Sequence, residues 1–259
     1  MPSIVTDFTI AAAQIGVVRG DIDGNLARHA SAMTAAAAAG VSVLVFPELS
    51  VTGYEPDLAA ALAFDPNDGR LRPLRDHAVA CGLTAVVGAP VRAGGKPFIG
   101  AFVLSASGAM STYLKMHLGS SEGPFFIAGD APLVIRSEGH SVGVAVCADT
   151  SRPSHPRTYV ELGAGIYAAG VFFDAEWYPE DAPRFQRYAE ELGLLTVMAN
   201  HGASTGTLTA VGKSAIWAPG GALLAQAAGI EDTLVMATHT ADGWHGRVLP
   251  VAAGASSMS

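Results

Sequence analysis

Short apolar runs alternate with amphipathic stretches along almost the whole chain, and this alternation restricts the fold more than any other feature. Val43-Leu44-Val45-Phe46 is apolar at every position, the pattern of a strand covered on both faces. Just before it, Leu26, Ala30 and Met33 recur at helical spacing over about 25–39, and Gly40 supplies a stop. Further strands are read over 8–15, 84–87, 100–104, 111–115, 133–136, 142–147, 166–173, 195–199, 214–218, 223–225 and 234–239. Further helices are read over 74–80, 156–162 and 183–192. Turn residues at Ser105-Ala106-Ser107-Gly108, Ser137-Glu138-Gly139-His140 and Pro219-Gly220-Gly221 join neighbouring strands as hairpins. Hairpins mixed with helical crossovers predict partly antiparallel sheets covered by helices.

Composition removes several function classes. Lys and Arg number 15 against 23 Asp and Glu, a net charge of −8, with no basic run. A broad nucleic-acid or anionic-membrane surface needs clustered cations and is not expected. Half of the residues are hydrophobic, which argues against disorder. The longest mostly apolar stretch, 33–46, is broken by Thr34, Gly40 and Ser42 and falls short of the roughly 18 to 20 residues that a spanning helix needs. No basic-then-apolar leader is read at the start, and Cys81 and Cys147 cannot build a disulfide framework. A cytoplasmic location is expected. With no linker, repeat or shift in composition, one domain over 1–259 is expected, with a loose tail from about 250.

Three polar residues stand where apolar strands end. Cys147 closes Ser141-Val142-Gly143-Val144-Ala145-Val146 before a loop that opens into a helix. A thiol there is either a nucleophile, helped by a nearby helix N-terminus, or a buried small hydrophobe. Glu48 follows Val43-Leu44-Val45-Phe46-Pro47. It is either a loop carboxylate in water or a buried one whose raised pKa suits a general base. Lys115 ends the strand before Met116-His117-Leu118. It is either a solvated edge residue or a fixed cation for an oxyanion.

Taken together these residues resemble the nitrilase superfamily of carbon–nitrogen hydrolases. Three blocks carry the resemblance: Phe46-Pro47-Glu48-Leu49 with Thr52-Gly53-Tyr54, then Tyr113-Leu114-Lys115-Met116-His117-Leu118, then Gly143-Val144-Ala145-Val146-Cys147-Ala148-Asp149. Weaker matches at Ala12-Ala13-Gln14, Phe126-Ile127-Ala128-Gly129-Asp130, Ala199-Asn200 and Gly212-Lys213-Ser214 extend it over about 8–240. The resemblance implies an α-β-β-α four-layer sandwich. It implies that Glu48 is the general base, Lys115 the cation and Cys147 the nucleophile. It makes Glu122 a second glutamate that orients substrate or holds Lys115 and Glu48. It also implies an oxyanion donor at Ala148 N–H and pocket positions at Tyr54 and Trp177. A packed tyrosine and an aromatic loop anchor are the alternatives for those last two.

The implied reaction is hydrolysis of a small amide through a thioester, with no cofactor and no metal. His117, His155, His201 and His245 show no metal-ligand spacing, and His117 reads as a structural hydrogen-bonding residue. Arg152 and His155 read as surface residues or as partners for a substrate carboxylate. The sequence departs from the amidase pattern at Ala148, where an aromatic residue is usual. A nitrilase acting on C≡N, acyl transfer to another amine, and a non-catalytic binding protein keeping the fold are the rivals. A thiol redox sensor would need a resolving cysteine near Cys147, and Cys81 is remote in sequence. The family's habit of pairing protomers implies a homodimer or larger homo-oligomer.

Overall fold

The computed structural model describes residues 7–251. Thirteen strands and six α-helices occur among them, arranged as two sheets that face each other. The first half of the chain supplies β1 (Phe8–Gln14), α1 (Ile22–Ala38), β2 (Val43–Val45), α2 (Ala59–Leu62), α3 (Arg72–Cys81), β3 (Thr84–Val91), β4 (Phe98–Leu104) and β5 (Met110–Leu114). Then come β6 (Val134–Ser137), β7 (His140–Val146), α4 (Ser154–Glu161), β8 (Ile166–Gly170), α5 (Tyr178–Asp181), α6 (Pro183–Leu192) and β9 (Leu195–Ala199). The chain closes with β10 (Ala215–Trp217), β11 (Leu223–Gln226), β12 (Thr233–Thr240) and β13 (Gly243–Pro250).

The first sheet runs β13-β12-β1-β2-β3-β4-β5 and the second β11-β10-β9-β8-β7-β6. Each has a parallel centre, β1-β2-β3 and β7-β8-β9, with antiparallel strands on both flanks. Side chains alternate across each strand. Ile10, Ala12, Val43 and Val45 therefore face Val144, Val146, Ala168 and Val197 in a core between the sheets. Ala11, Ala13 and Leu44 turn the other way, onto Met33 of α1 and Leu74 of α3. Ala145, Tyr167 and Ala169 pack on Tyr159 of α4 and Phe185 of α6. Helices, two sheets and helices make the four-layer α-β-β-α sandwich that the resemblance implies. The buried alanines of β1 and α1 let these layers approach closely.

Differences from the sequence reading have local causes. α1 begins at Ile22, not at 25, because the Asp21 side chain accepts the Gly24 N–H and caps the helix there. The strand read over 166–173 ends at Gly170; the Val171 N–H still donates to Ala199 O, while Phe172 and Phe173 line a cavity. β13 carries no apolar alternation, since most of its residues are exposed, so it was not read at all. It pairs with β12 along its whole length. The expected loose tail lies, beyond Val251, outside the described residues. Among the described residues no helix is long and apolar enough to cross a membrane.

The turn after β2 is wedged between the two sheets. A Cβ on Gly88 of β3 would lie 2.4 Å from Pro47 O and 2.6 Å from Leu49 N. A Cβ on Gly170, at the end of β8, would lie 2.4 Å from Phe46 O. Both neighbours are backbone, which cannot swing aside. Gly88→Ala is expected to destabilise the protein by about 1–3 kcal/mol, read as a lower denaturant midpoint. A midpoint equal to that of the wild type would show that the turn is free to shift.

Candidate active site

Glu48, Lys115, Cys147 and Glu122, far apart in the chain, converge at one end of the sandwich. Lys115 follows β5, and its backbone N–H still donates to Ile99 O (2.8 Å). Its side chain is fully buried. Nζ donates to Glu48 Oε1 (2.7 Å) and to Glu122 Oε1 and Oε2 (2.7 and 2.8 Å). Cys147 opens a short 3₁₀ turn after β7, with its backbone at φ 41°. Glu48, Tyr54, Glu122, Cys147, Ala148 and Trp177 all line one cavity of about 870 Å³, with Lys115 bonded beneath them. That size is at the upper end of ordinary ligand pockets.

Two carboxylates share one ammonium, and their surroundings separate them. Glu122 also accepts the Tyr54 O–H (2.8 Å) and the Gly119 N–H (2.6 Å), so donors surround its charge. Glu48 Oε1 accepts from Lys115, and its buried Oε2 has no hydrogen-bond partner among the described residues. Burial therefore pushes the Glu48 carboxyl up to about 7, only partly opposed by Lys115, with the charge on Glu122 adding to the rise. Burial works against the Lys115 charge as well. Glu48 and its neighbours more than offset it, and the ammonium stays above the usual lysine range. Burial, followed by the nearby Glu48 charge, lifts the Cys147 thiol well above its ordinary value despite Lys115.

That last shift corrects one expectation. α4 starts only at Ser154, and the turn at Cys147 is a single 3₁₀ turn. The helix N-terminus expected beside Cys147 is therefore not at the thiol, and burial sets the direction of the thiol's shift.

Asp149, to which the sequence assigns no role, organises the site. Oδ1 accepts the N–H groups of Met116 (3.1 Å) and His117 (2.8 Å), directly after Lys115, and His117 Nδ1–H (3.1 Å). Oδ2 accepts the Val146 N–H (3.0 Å), directly before Cys147, and the Tyr113 O–H (2.7 Å). One carboxylate thus ties the cation's segment to the nucleophile's. His117 has the structural role that the sequence suggests.

His155 does not lie at the surface. It is buried, bonded through Nε2 to Tyr113 Oη (2.9 Å) and through Nδ1 to Tyr167 Oη (2.9 Å). It packs among Tyr113, Tyr159 and Tyr167 and lies outside the lining of the Cys147 cavity. Arg152 is exposed and outside the cavity lining. His117, Asp149 and His155 place ligand atoms within 4.8 Å of one another, which spacing along the chain had hidden. The lone pairs of Asp149 are already taken by five donors, which suits a hydrogen-bond hub better than a metal ligand.

Glu55 and His201 carry no motif that would single them out. Glu55 is buried, accepts from Thr205 Oγ1 and Gly206 N–H, pairs with Arg19, and so holds the 205–206 loop against the cavity. His201, just after β9, donates from Nε2 to Glu48 O (2.7 Å). The neighbouring Asn200 grips Phe173 through its backbone N–H and O (2.9 Å each) and shapes the cavity wall.

The sequence profile of the carbon-nitrogen hydrolase family matches residues 9–244. A glutamine-dependent NAD(+) synthetase of Thermotoga maritima is 30% identical over 164 residues, which cover 61% of this chain but only 28% of that protein. A nitrilase of Pyrococcus abyssi is 28% identical over 221 residues, 83% of each chain. Among solved structures, a cysteine-to-serine mutant of the Nesterenkonia AN1 amidase from the nitrilase superfamily superposes with TM-score 0.82 and 25% identity, over 88% of this chain and 90% of that one. Another form of that amidase, at TM-score 0.81 and 25% identity over 88% and 92%, shows Michael addition of acrylamide at its active-site cysteine. A profile match over nearly the whole chain, on a two-sheet fold shared with these amidases, leaves one assignment: the chain belongs to the carbon-nitrogen hydrolase family.

Proposed function

We propose that the protein hydrolyses a small, uncharged amide through a thioester on Cys147. The observation that carries this reading is the buried Lys115 ammonium, held between Glu48 and Glu122 under the cavity that Cys147 lines. Glu48 accepts the Cys147 proton as the sulfur attacks the amide carbon. The oxyanion that forms is stabilised by the Lys115 ammonium and the Ala148 N–H. Glu48 then protonates the leaving nitrogen, the C–N bond breaks, and ammonia or an amine departs. Glu48 next takes a proton from water as its oxygen attacks the thioester, and the acid leaves as the Cys147 thiol is restored. Glu122 keeps Lys115 charged and in place. Ionisation energetics support Glu48 as the base, because its raised carboxyl can exchange a proton near neutrality.

The cavity favours an acyl group without charge. Tyr54, Phe125, Phe172, Phe173 and Trp177 form its walls. Both rim arginines are already paired, Arg19 with Glu55 and Asp57, and Arg184 with Asp181. A nitrile is the second reading, motivated by the Pyrococcus relative, and would use the same sulfur on a C≡N carbon.

The test is ammonia release from matched aliphatic amides and nitriles, with acid-quenched mass spectrometry of the acyl adduct on Cys147. Amide turnover with an adduct on Cys147 is expected. Selective labelling of Cys147 by an alkylating agent, with no release from any substrate, would count against hydrolysis. Because the base form of Glu48 is needed, kcat/KM is expected to rise with pH through about 7 and to fall about tenfold per pH unit well below it. A profile flat from pH 5.5 to 8 would remove Glu48 as the base.

A further inference from the structure

The residue after Glu48 has an unusual backbone. Leu49 lies in the left-handed region at φ 51°, where a bulky side chain is strained. Such a conformation persists only where the surroundings impose it. From the first sheet, Gly88 lets the 47–49 backbone come so close that a Cβ there would clash with Pro47 O and Leu49 N. The second sheet contributes His201, whose Nε2 stands 2.7 Å from Glu48 O.

A carbonyl oxygen only accepts, so the ring proton is on Nε2. Nδ1 is then a bare lone pair, and although the ring is fully buried it has no partner among the described residues. Burial holds the ring neutral, its pKa lowered to about 4. An orphaned buried nitrogen is costly, and an apolar ring would fill the space without it. What the imidazole supplies in return is the one donor to the Glu48 carbonyl among the described residues.

The ring also reaches the cavity wall. It stacks on Phe172 with centroids 4.4 Å apart and planes 26° apart. Phe172 meets Tyr54 edge-on at 5.9 Å, and Tyr54 donates to Glu122. One neutral side chain therefore touches both the backbone of Glu48 and the aromatic wall beside Glu122.

We infer that His201 is a positioning residue: its Nε2–H fixes the Glu48–Leu49 peptide, and with it the direction of the Glu48 carboxylate toward Cys147 and Lys115. This rests on the reading of Glu48 as the base.

Two variants separate the donor from the packing. His201→Phe keeps a ring against Phe172 and removes the donor; His201→Gln keeps a donor and removes the aromatic stack. The Phe variant is expected to lose roughly 10- to 100-fold in kcat with KM changed less than about threefold, the scale of a small misplacement of a reacting group. The Gln variant is expected to retain kcat within about fivefold of the wild type on the same grounds. Melting temperatures are recorded beside the kinetics, because a merely structural role would lower stability and leave kcat of the folded fraction intact. Wild-type kcat in the Phe variant, or equal kcat losses in both variants, would overturn the inference. The rate of Cys147 alkylation, which needs no substrate, is compared in the same proteins. It is expected to slow in the Phe variant and to recover in the Gln variant. If the wild-type protein released nothing from amides or nitriles, the hydrolase reading would fail, and this alkylation comparison would still decide the role of His201.

Discussion

Cys147→Ala is expected to abolish turnover, lowering kcat/KM by on the order of 10,000-fold or more, as removal of a covalent nucleophile does elsewhere. The reason is chemical. Glu48, Lys115 and the cavity walls can still bind and polarise a substrate, but no atom remains to form the thioester. Cys81 cannot replace it. It closes α3 and packs on the core between the first sheet and its helices, away from the cavity. The fold should persist, because alanine loses only the sulfur and tolerates φ 41° about as poorly as cysteine does. Circular dichroism and the melting temperature are therefore expected to stay near the wild type while turnover and selective alkylation both disappear. Activity that survives in this variant would sink the thioester mechanism.

Lys115→Met is expected to damage both stability and rate. The side chain is buried, and among the described residues its ammonium alone pairs with both the Glu48 and Glu122 carboxylates. Methionine fills similar space but leaves two acidic groups facing each other without a cation. Breaking a buried pair from one side costs about 3–5 kcal/mol. The oxyanion also loses a donor, which is worth roughly 100- to 1,000-fold in kcat. The two effects can be told apart. Adding Glu48→Gln to Lys115→Met removes one uncompensated carboxyl and is expected to restore a large part of the denaturant midpoint, but none of the turnover. If the double variant were no more stable than the single one, the buried charge balance would not be what Lys115 secures.

Much of this architecture was legible in the chain because strand and helix periodicities report which faces must be covered. The run Val43-Leu44-Val45 has the pattern of a strand buried on both faces, and it lies at the centre of the first sheet. The Glu138-Gly139 turn was legible for a local reason: both residues take positive φ, 48° and 79°, as a two-residue hairpin demands. β13 was not legible, because an exposed edge strand needs no apolar alternation and is held by its ladder to β12. His155 was misplaced for the opposite reason. Ser154, Arg157 and Thr158 around it are polar and give no local sign of burial, and only packing on the second sheet turns one polar ring inward to two tyrosines.

By itself, the order of residues determined the strand ends at which Glu48, Lys115 and Cys147 stand, since apolar runs and stop residues are local properties. It also carried the family blocks that join them. Only the tertiary structure decided the electrostatics. Which of two glutamates is the poorly satisfied one depends on Tyr54 and Gly119 reaching Glu122 but not Glu48. The upward push on the Cys147 thiol depends on burial and on Glu48 nearby. The hub at Asp149 and the grip of His201 on Glu48 O join residues 33 and 153 positions apart. No periodicity reports such pairs, because a hydrogen bond depends on where two backbones finally lie in space.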